Sequence, residues 1–433
     1  MKNASLIFVL SLLLLPALSR AGDAPSYEMH EWGVFPVPRN AAWANIDMRA
    51  EISSMPKFFW KMWPEQHLPW RGGVNKPVIY FYCDKPLSVN VKIRFADGRP
   101  LVWWPAAEKP AGGIGNVRPD ELEFSLRVGH YAPPDSWMHK NLKDYNEQQL
   151  AAFEENYKKI KPPEVEKGHW MEALRVPASS MLYTQGSYTN RRVDNDNQPV
   201  EKFIYYDGVM KAPETPQLDR DGENLVMKSK FAYAISDLFV IDRSATRTRI
   251  SKAFVNIQAG EQTAKIEMIA AGDGKGDAKT IDLLAEEFVK RLVAAGLTQD
   301  EAVGLEKVWH PGLFLHDGVS ILYRVPQDIY DQWLPLTAKP APKKTVRVGL
   351  VLHQHLEPEL EANVNALIKK LSAEDFADRQ QAMQSLMNTG GAAFPYLEAA
   401  IKNKDTELET ANNCRKVMDT LDARPSMQQK KAE

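Results

Sequence analysis

From Tyr27 to about His130 the apolar and polar positions follow a two-residue period. Pro77-Val-Ile-Tyr-Phe-Tyr82 is a compact apolar and aromatic run, and residues 87–95 and 121–128 alternate strictly. One face of each such strand is buried and the other is wet. Asp97-Gly98 reads as a hairpin turn that returns the chain along Leu101-Val-Trp-Trp104 as partner strand. Residues 136–167 break the pattern: 141–157 is a charged amphipathic stretch stopped by Pro162-Pro163, which predicts a helical insertion. Strands are predicted again at 173–176, 202–206, 231–235, 238–241, 253–257 and 264–269. A helical pair follows at about 282–308, its second helix N-capped by Thr298 with Glu301 three residues on. Strands at 319–323 and 346–351 close the β region, and after Pro358 the periodicity becomes helical.

The N-terminal stretch changes the picture of where the chain works. One Lys leads into the apolar run Leu6–Leu15, Pro16 breaks it, and Ser19-Arg20-Ala21 supplies small residues for cleavage. The run is about ten residues, against the ~18 or more of a membrane helix, so residues 1–21 read as a secretory signal peptide. The expectation is an exported protein, periplasmic or extracellular, with no membrane span in the mature chain. The 54 basic and 56 acidic residues nearly cancel, which argues against a nucleic-acid partner. The only cysteines, Cys83 and Cys414, fall in segments of different character, so the core rather than a disulfide framework is expected to hold the fold.

Two resemblances add to this reading. HEWGVF (residues 30–35), EKFIYYDGVM (201–210) and DEAVGLEKVWHPGLFLHDGVSILYRVP (300–326), continuing into LPLTAKPAP, together resemble a group of exported bacterial proteins with a HEWG-type first strand and a late W-x-x-x-x-F…LYRVP…LPL segment. The resemblance spans most of residues 27–350. His310-Pro311-Gly312 departs from the late segment. What it implies is an exported body; it carries no assigned activity, so no catalytic residue comes with it. Residues 371–401 resemble a HEAT-like helical repeat at Asp378, Arg379, Ala382, Leu386, Gly390, Ala393, Pro395 and Leu397, and 404–421 keeps an approximate second unit. The predicted fold class is mainly β: an antiparallel sandwich-like body over 22–357 with helical insertions, then a HEAT-like α-helical tail over 358–425 and a disordered end at 426–433.

Each chemical candidate in the chain has a plainer reading beside it. His30-Glu31 begins like the zinc-protease motif H-E-x-x-H, but residue 34 is Val, and in a strand neighbouring side chains point to opposite faces. The favoured reading is the start of a strand. His353 and His355 share a strand face and, with Glu357 or Glu359, form the best metal candidate; the favoured reading is a solvated strand end. Asp219, Asp221 and Glu223 have the spacing of calcium ligands around Gly222 in a predicted loop, and Asp194–Asn197 is similar; both read as polar turns. His310 beside Pro311 and Gly312 reads as a tight turn with an exposed acid–base group as the sharper alternative. Ser54-Met-Pro-Lys57 lacks the companions of a nucleophile motif. Tryptophans crowd the first 104 residues, and Trp60, Trp63, Trp103 and Trp104 are candidates for a sugar-stacking groove, against a core role.

The sequence therefore favours a non-enzymatic binding or scaffold protein of the bacterial envelope or exterior, with protein or glycan partners. No cofactor is required by pattern, with zinc and calcium the only candidates. The alternative is a metal-dependent or acid–base hydrolase of envelope polymers drawing on His30, Glu31, His310, His353 and His355.

Overall fold

A computed structural model describes residues 26–37, 56, 77–109, 112–114, 120–129, 161–184, 200–244, 247–271 and 278–430. The signal-peptide stretch 1–21, residues 136–160 of the expected insertion, Trp60, Trp63, Ser54, Lys57 and Asp194–Asn197 lie outside these residues.

In chain order the strands are β1 (Tyr27–Val37), β2 (Val78–Cys83), β3 (Leu87–Arg94), β4 (Arg99–Ala107), β5 (Gly112–Ile114), β6 (Glu121–Val128), β7 (Leu182–Thr184), β8 (Val200–Glu201), β9 (Ile204–Val209), β10 (Gln217–Asp221), β11 (Asn224–Ser229), β12 (Ile235–Arg243), β13 (Thr248–Ser251), β14 (Val255–Ile257), β15 (Gln262–Ile266), β16 (Met268–Ala270), β17 (Gly318–Val325), β18 (Leu336–Lys339) and β19 (Lys344–His353). The helices are α1 (Trp170–Leu174), α2 (Ala278–Ala294), α3 (Gln299–Phe314), α4 (Gln327–Trp333), α5 (Leu360–Lys370), α6 (Phe376–Thr389), α7 (Phe394–Lys402) and α8 (Leu408–Lys430).

The protein is mainly β, in three sheets. The largest orders its strands β16-β13-β12-β17-β19-β1-β2-β9-β4-β5, with β14 added on β12; the others are β18-β3-β6-β7-β8 and β10-β11-β15. Helices α1, α2 and α3 cover one face of the large sheet, where Trp32, Trp104 and Leu322 join Met171, Phe288 and Leu305 in one core. The two smaller sheets cover the other face, where Met29, Trp103 and Tyr323 join Phe124 and Met227. The large sheet thus packs against a core on both sides, and β1 near its centre is buried along almost its whole length for that reason.

Several expectations are corrected. The body is mostly antiparallel, as expected, but β1 and β19 pair in parallel, Glu31 opposite Arg347; the other pairings of this sheet among the described residues are antiparallel. The turn at Asp97-Gly98 does not close a hairpin. It carries the chain between layers, since β3 pairs with β6 and β18 while β4 pairs with β9 and β5. Residues 173–176 fall at the end of helix α1 rather than in a strand, because His169 caps the helix by accepting the Met171 N–H. The expected helical pair is present as α2 and α3, which form a layer over the sheet. Residues 217–229 form a hairpin instead of a loop. Helix α3 runs through Pro311 to Phe314, so His310-Pro311-Gly312 is helix and not a turn.

Helices α5–α8 end the chain. Leu371, Leu386, Leu397, Cys414 and Val417 form a third core drawn only from these helices and their connections. Helix α8 continues to Lys430, into the stretch expected to be disordered. At the join with the body, Arg220 donates to Glu359 at 2.8 Å and to Asp242 at 2.7 Å. Cys83 and Cys414 are unpaired thiols. Among the described residues no helix is long and apolar enough to cross a membrane.

Candidate functional site

His30 and Glu31 of β1 sit on opposite faces, as strand alternation requires, and both are enclosed. His30 faces α3, its Nδ1 3.0 Å from Glu301 Oε2. Glu301 is the capping-box residue of that helix: it accepts the Thr298 N–H at 2.7 Å while Thr298 Oγ1 accepts its own N–H at 3.2 Å. It also accepts the Tyr82 hydroxyl at 2.7 Å. Burial, and then the Glu301 charge, hold the Tyr82 hydroxyl far above its ordinary pKa. One carboxylate therefore caps a helix and ties it to β1 and β2.

On the other face Glu31, 0 % exposed, accepts from Tyr206 Oη and from Arg347 Nε. Arg347 also donates from Nη1 to Asp331 Oδ1 at 2.6 Å, its backbone N–H reaches Gln327 Oε1 at 3.1 Å, and its guanidinium lies 4.1 Å over the Tyr330 ring. Burial and then the Glu31 charge keep the Tyr206 and Tyr330 hydroxyls protonated. Burial pulls the Arg347 pKa down, but Glu31, Tyr330 and Tyr206 together outweigh it and the guanidinium stays charged. The register partners Gly33 and Gly349 make the slot for Tyr330. A Cβ at Gly33 would lie 2.8 Å from the Tyr330 hydroxyl, and one at Gly349 would lie 3.0 Å from the ring. The HEWG stretch is thus a structural clamp across β1, β9, β19 and α4.

The histidines near residue 353 are buried rather than solvated. His353 lies 3.2 Å from Tyr323 Oη, and burial pushes its imidazole down to about 3. The strand ends there. His355 has a φ of +56°, and its ring instead meets His316 at 4.6 Å while its Nδ1 lies 3.3 Å from Glu357 Oε1. Burial, then His355, pushes His316 down to about 4. Among the described residues no group of three or more His, Cys, Asp or Glu side chains is arranged to hold a metal ion. In the β10–β11 hairpin Asp219 pairs with Lys228 at 2.6 Å, Asp221 with Lys265 at 2.7 Å, and Glu223 with Arg249. Each carboxylate of that calcium candidate already has a cation: Asp219 and Asp221 are alternate residues of β10, and Glu223 sits in the turn that follows.

His310 packs on α3, with Nδ1 2.5 Å from Glu306 Oε1 one turn back and its ring 5.2 Å from Phe314. Trp103 and Trp104 are each 1 % exposed, so neither offers a stacking surface. Trp104 Nε1 donates to Glu201 Oε2 at 3.1 Å, and Arg175 meets the same carboxylate at 3.0 Å.

Aromatic surface is found elsewhere. A cavity of about 260 Å³ opens between the β3–β4 turn, residues 210–214, the approach to β12 and the end of α4. Tyr233 and Trp333 wall it, their centroids 6.0 Å apart at 69°. Phe35 holds Trp333 from behind, edge-on at 5.6 Å, and Phe231 stacks beside Tyr233 at 6.4 Å. The Ala96 N–H donates to the Trp333 carbonyl at 3.1 Å, joining the two rims. Asp97, Lys211, Glu214 and Gln332 supply the polar lining. Burial, then the Glu214 charge, pushes the Tyr233 hydroxyl up to about 12. These residues come from four separate segments, and sequence reading missed all of them.

No protein-family model, curated protein or solved structure matches this chain.

Proposed function

We propose that this chain is an exported, non-enzymatic binding protein of a bacterial envelope or exterior, and that the Tyr233–Trp333 cavity is where it grips its partner. The observation that carries the reading is that cavity: two half-buried aromatic walls held by Phe35 and Phe231, with charged and amide groups on the rim. Concave, aromatic-lined sites with a few polar groups are how proteins hold small ligands. Its volume of about 260 Å³ suits one protruding group of a larger partner rather than a long chain segment. The sequence-level acid–base candidates have structural work instead: Glu31 holds Arg347, His30 meets Glu301, and His353 is enclosed beside Tyr323. The C-terminal helices, with a core of their own, serve in this reading as a HEAT-like interaction module joined to the body through Arg220 and Glu359.

The test is to immobilise the full chain and its Trp333→Ala variant and to probe both with glycan and peptide arrays, following polymer release in parallel. Binding by the parent that the variant loses supports the reading. Equal binding by both proteins removes the cavity from it. Release of soluble fragments from a polymer overturns the non-enzymatic part in favour of the hydrolase.

A further inference from the structure

We propose that the Tyr233–Trp333 cavity takes an organic cation: an ammonium or guanidinium head on an aliphatic stem. The inference rests on the cavity being the binding site, and it adds the ligand's charge class. Its first support is geometric. The faces of Tyr and Trp carry negative electrostatic potential, and two such rings meeting edge to face leave a concave corner that a cation can occupy against both. Met210 adds a soft, apolar surface for a stem.

The second support is charge. Asp97 and Glu214 line the cavity against the one cation Lys211, a balance of two minus one, or one net negative charge. Among the described residues no salt bridge joins any of these three to a partner. This sets the cavity apart from the β10–β11 hairpin, where every carboxylate of the cluster meets a lysine or arginine. Glu214 also acts inward, since its charge raises the hydroxyl pKa of Tyr233 and of the buried Tyr323 behind it. A neutral sugar gains from the rings but nothing from that field. A cation gains from both, and an anion is opposed by both.

The experiment uses the full chain, with calorimetry and intrinsic tryptophan fluorescence as readouts, the Trp333→Phe variant identifying the part of the emission that comes from Trp333. The probes are choline, Nα-acetyl-lysine methylamide and Nα-acetyl-arginine methylamide. Each alkylammonium is paired with a neutral isostere, 3,3-dimethylbutan-1-ol for choline and Nα-acetyl-norleucine methylamide for lysine. The expected result is saturable binding of at least one cation, its isostere weaker by about five- to thirtyfold. Glu214→Gln, a substitution at an exposed position, narrows that gap and flattens the salt dependence without changing the isostere's affinity. Choline as the tightest probe assigns a free quaternary ammonium; lysine or arginine as the tightest assigns a side chain of a partner protein. An isostere that binds as well as its cation overturns the charge class and leaves the cavity as a site. Saturation by no cation also overturns it, and the array result with Trp333→Ala then decides separately whether the cavity binds anything.

Discussion

Gly33 is the position at which a single methyl group would disturb the clamp around Glu31. Its Cβ would arrive 2.8 Å from the Tyr330 hydroxyl, closer than such contacts allow, and 3.3 Å from Phe35 and Pro77, which is tight. Gly33→Ala should cost about 1–3 kcal/mol, the usual penalty for forcing atoms into a filled core. Tyr330→Phe removes the oxygen that the methyl meets first. The double variant should therefore be more stable than the sum of the two single losses, by a coupling of about 0.5 kcal/mol or more in urea denaturation. Strictly additive losses would show that the clash is not the cause. The same residue explains why HEWG looked like a broken enzyme motif. His30 and Glu31 point away from each other, Trp32 fills the helix-side core, and Gly33 leaves room for a tyrosine from another element.

At the scale of elements, α3 shows how one local signal can carry a long-range contact. The sequence pattern Thr298-x-x-Glu301 predicts the capping box, and the structure has it. Thr298→Ala should cost about 1 kcal/mol, as a lost N-cap does. Glu301→Ala should cost more, about 2–4 kcal/mol, because it strands the Tyr82 hydroxyl and the His30 ring in the core as well as opening the cap. Chemical denaturation of the two variants orders them, and equal losses would mean that the bonds to β1 and β2 contribute little. Much of the element content was legible in this way: β3 and β6 from alternation, and α2 and α3 from period and cap. What was not legible is partnership. The Asp97-Gly98 turn has hairpin chemistry, yet its flanking strands belong to different sheets, because both must bury apolar faces in the same core from opposite sides. The candidate site was hidden for a related reason. Tyr233 and Trp333 are 100 positions apart, and only the fold makes them neighbours, whereas the crowded tryptophans Trp103 and Trp104 went inside.

The whole molecule holds two imidazoles neutral in its interior, His353 at about 3 and His316 at about 4. The ordinary value is about 6.5, so above that pH neither affects stability. As pH falls below it, the unfolded chain takes up protons that the folded one refuses. Stability is lost at up to about 1.4 kcal/mol per pH unit for each histidine, until pH reaches the folded value. His353→Leu removes one of these terms. Its unfolding free energy should fall less steeply than the parent's between about pH 6 and 4, by that same slope. Parallel curves from urea titrations at several pH values would show that His353 is not held neutral. The parallel pairing of β1 with β19 has a consequence of another kind. Glu31 and Arg347 are 316 residues apart, and β1 precedes every other described strand while β19 follows them all. A ribosome releases β1 first, yet one of its two neighbours does not exist until translation has passed His353. Through that interval a strand that ends up buried along almost its whole length offers an open edge to any other nascent chain, so the order of synthesis runs against the order of enclosure.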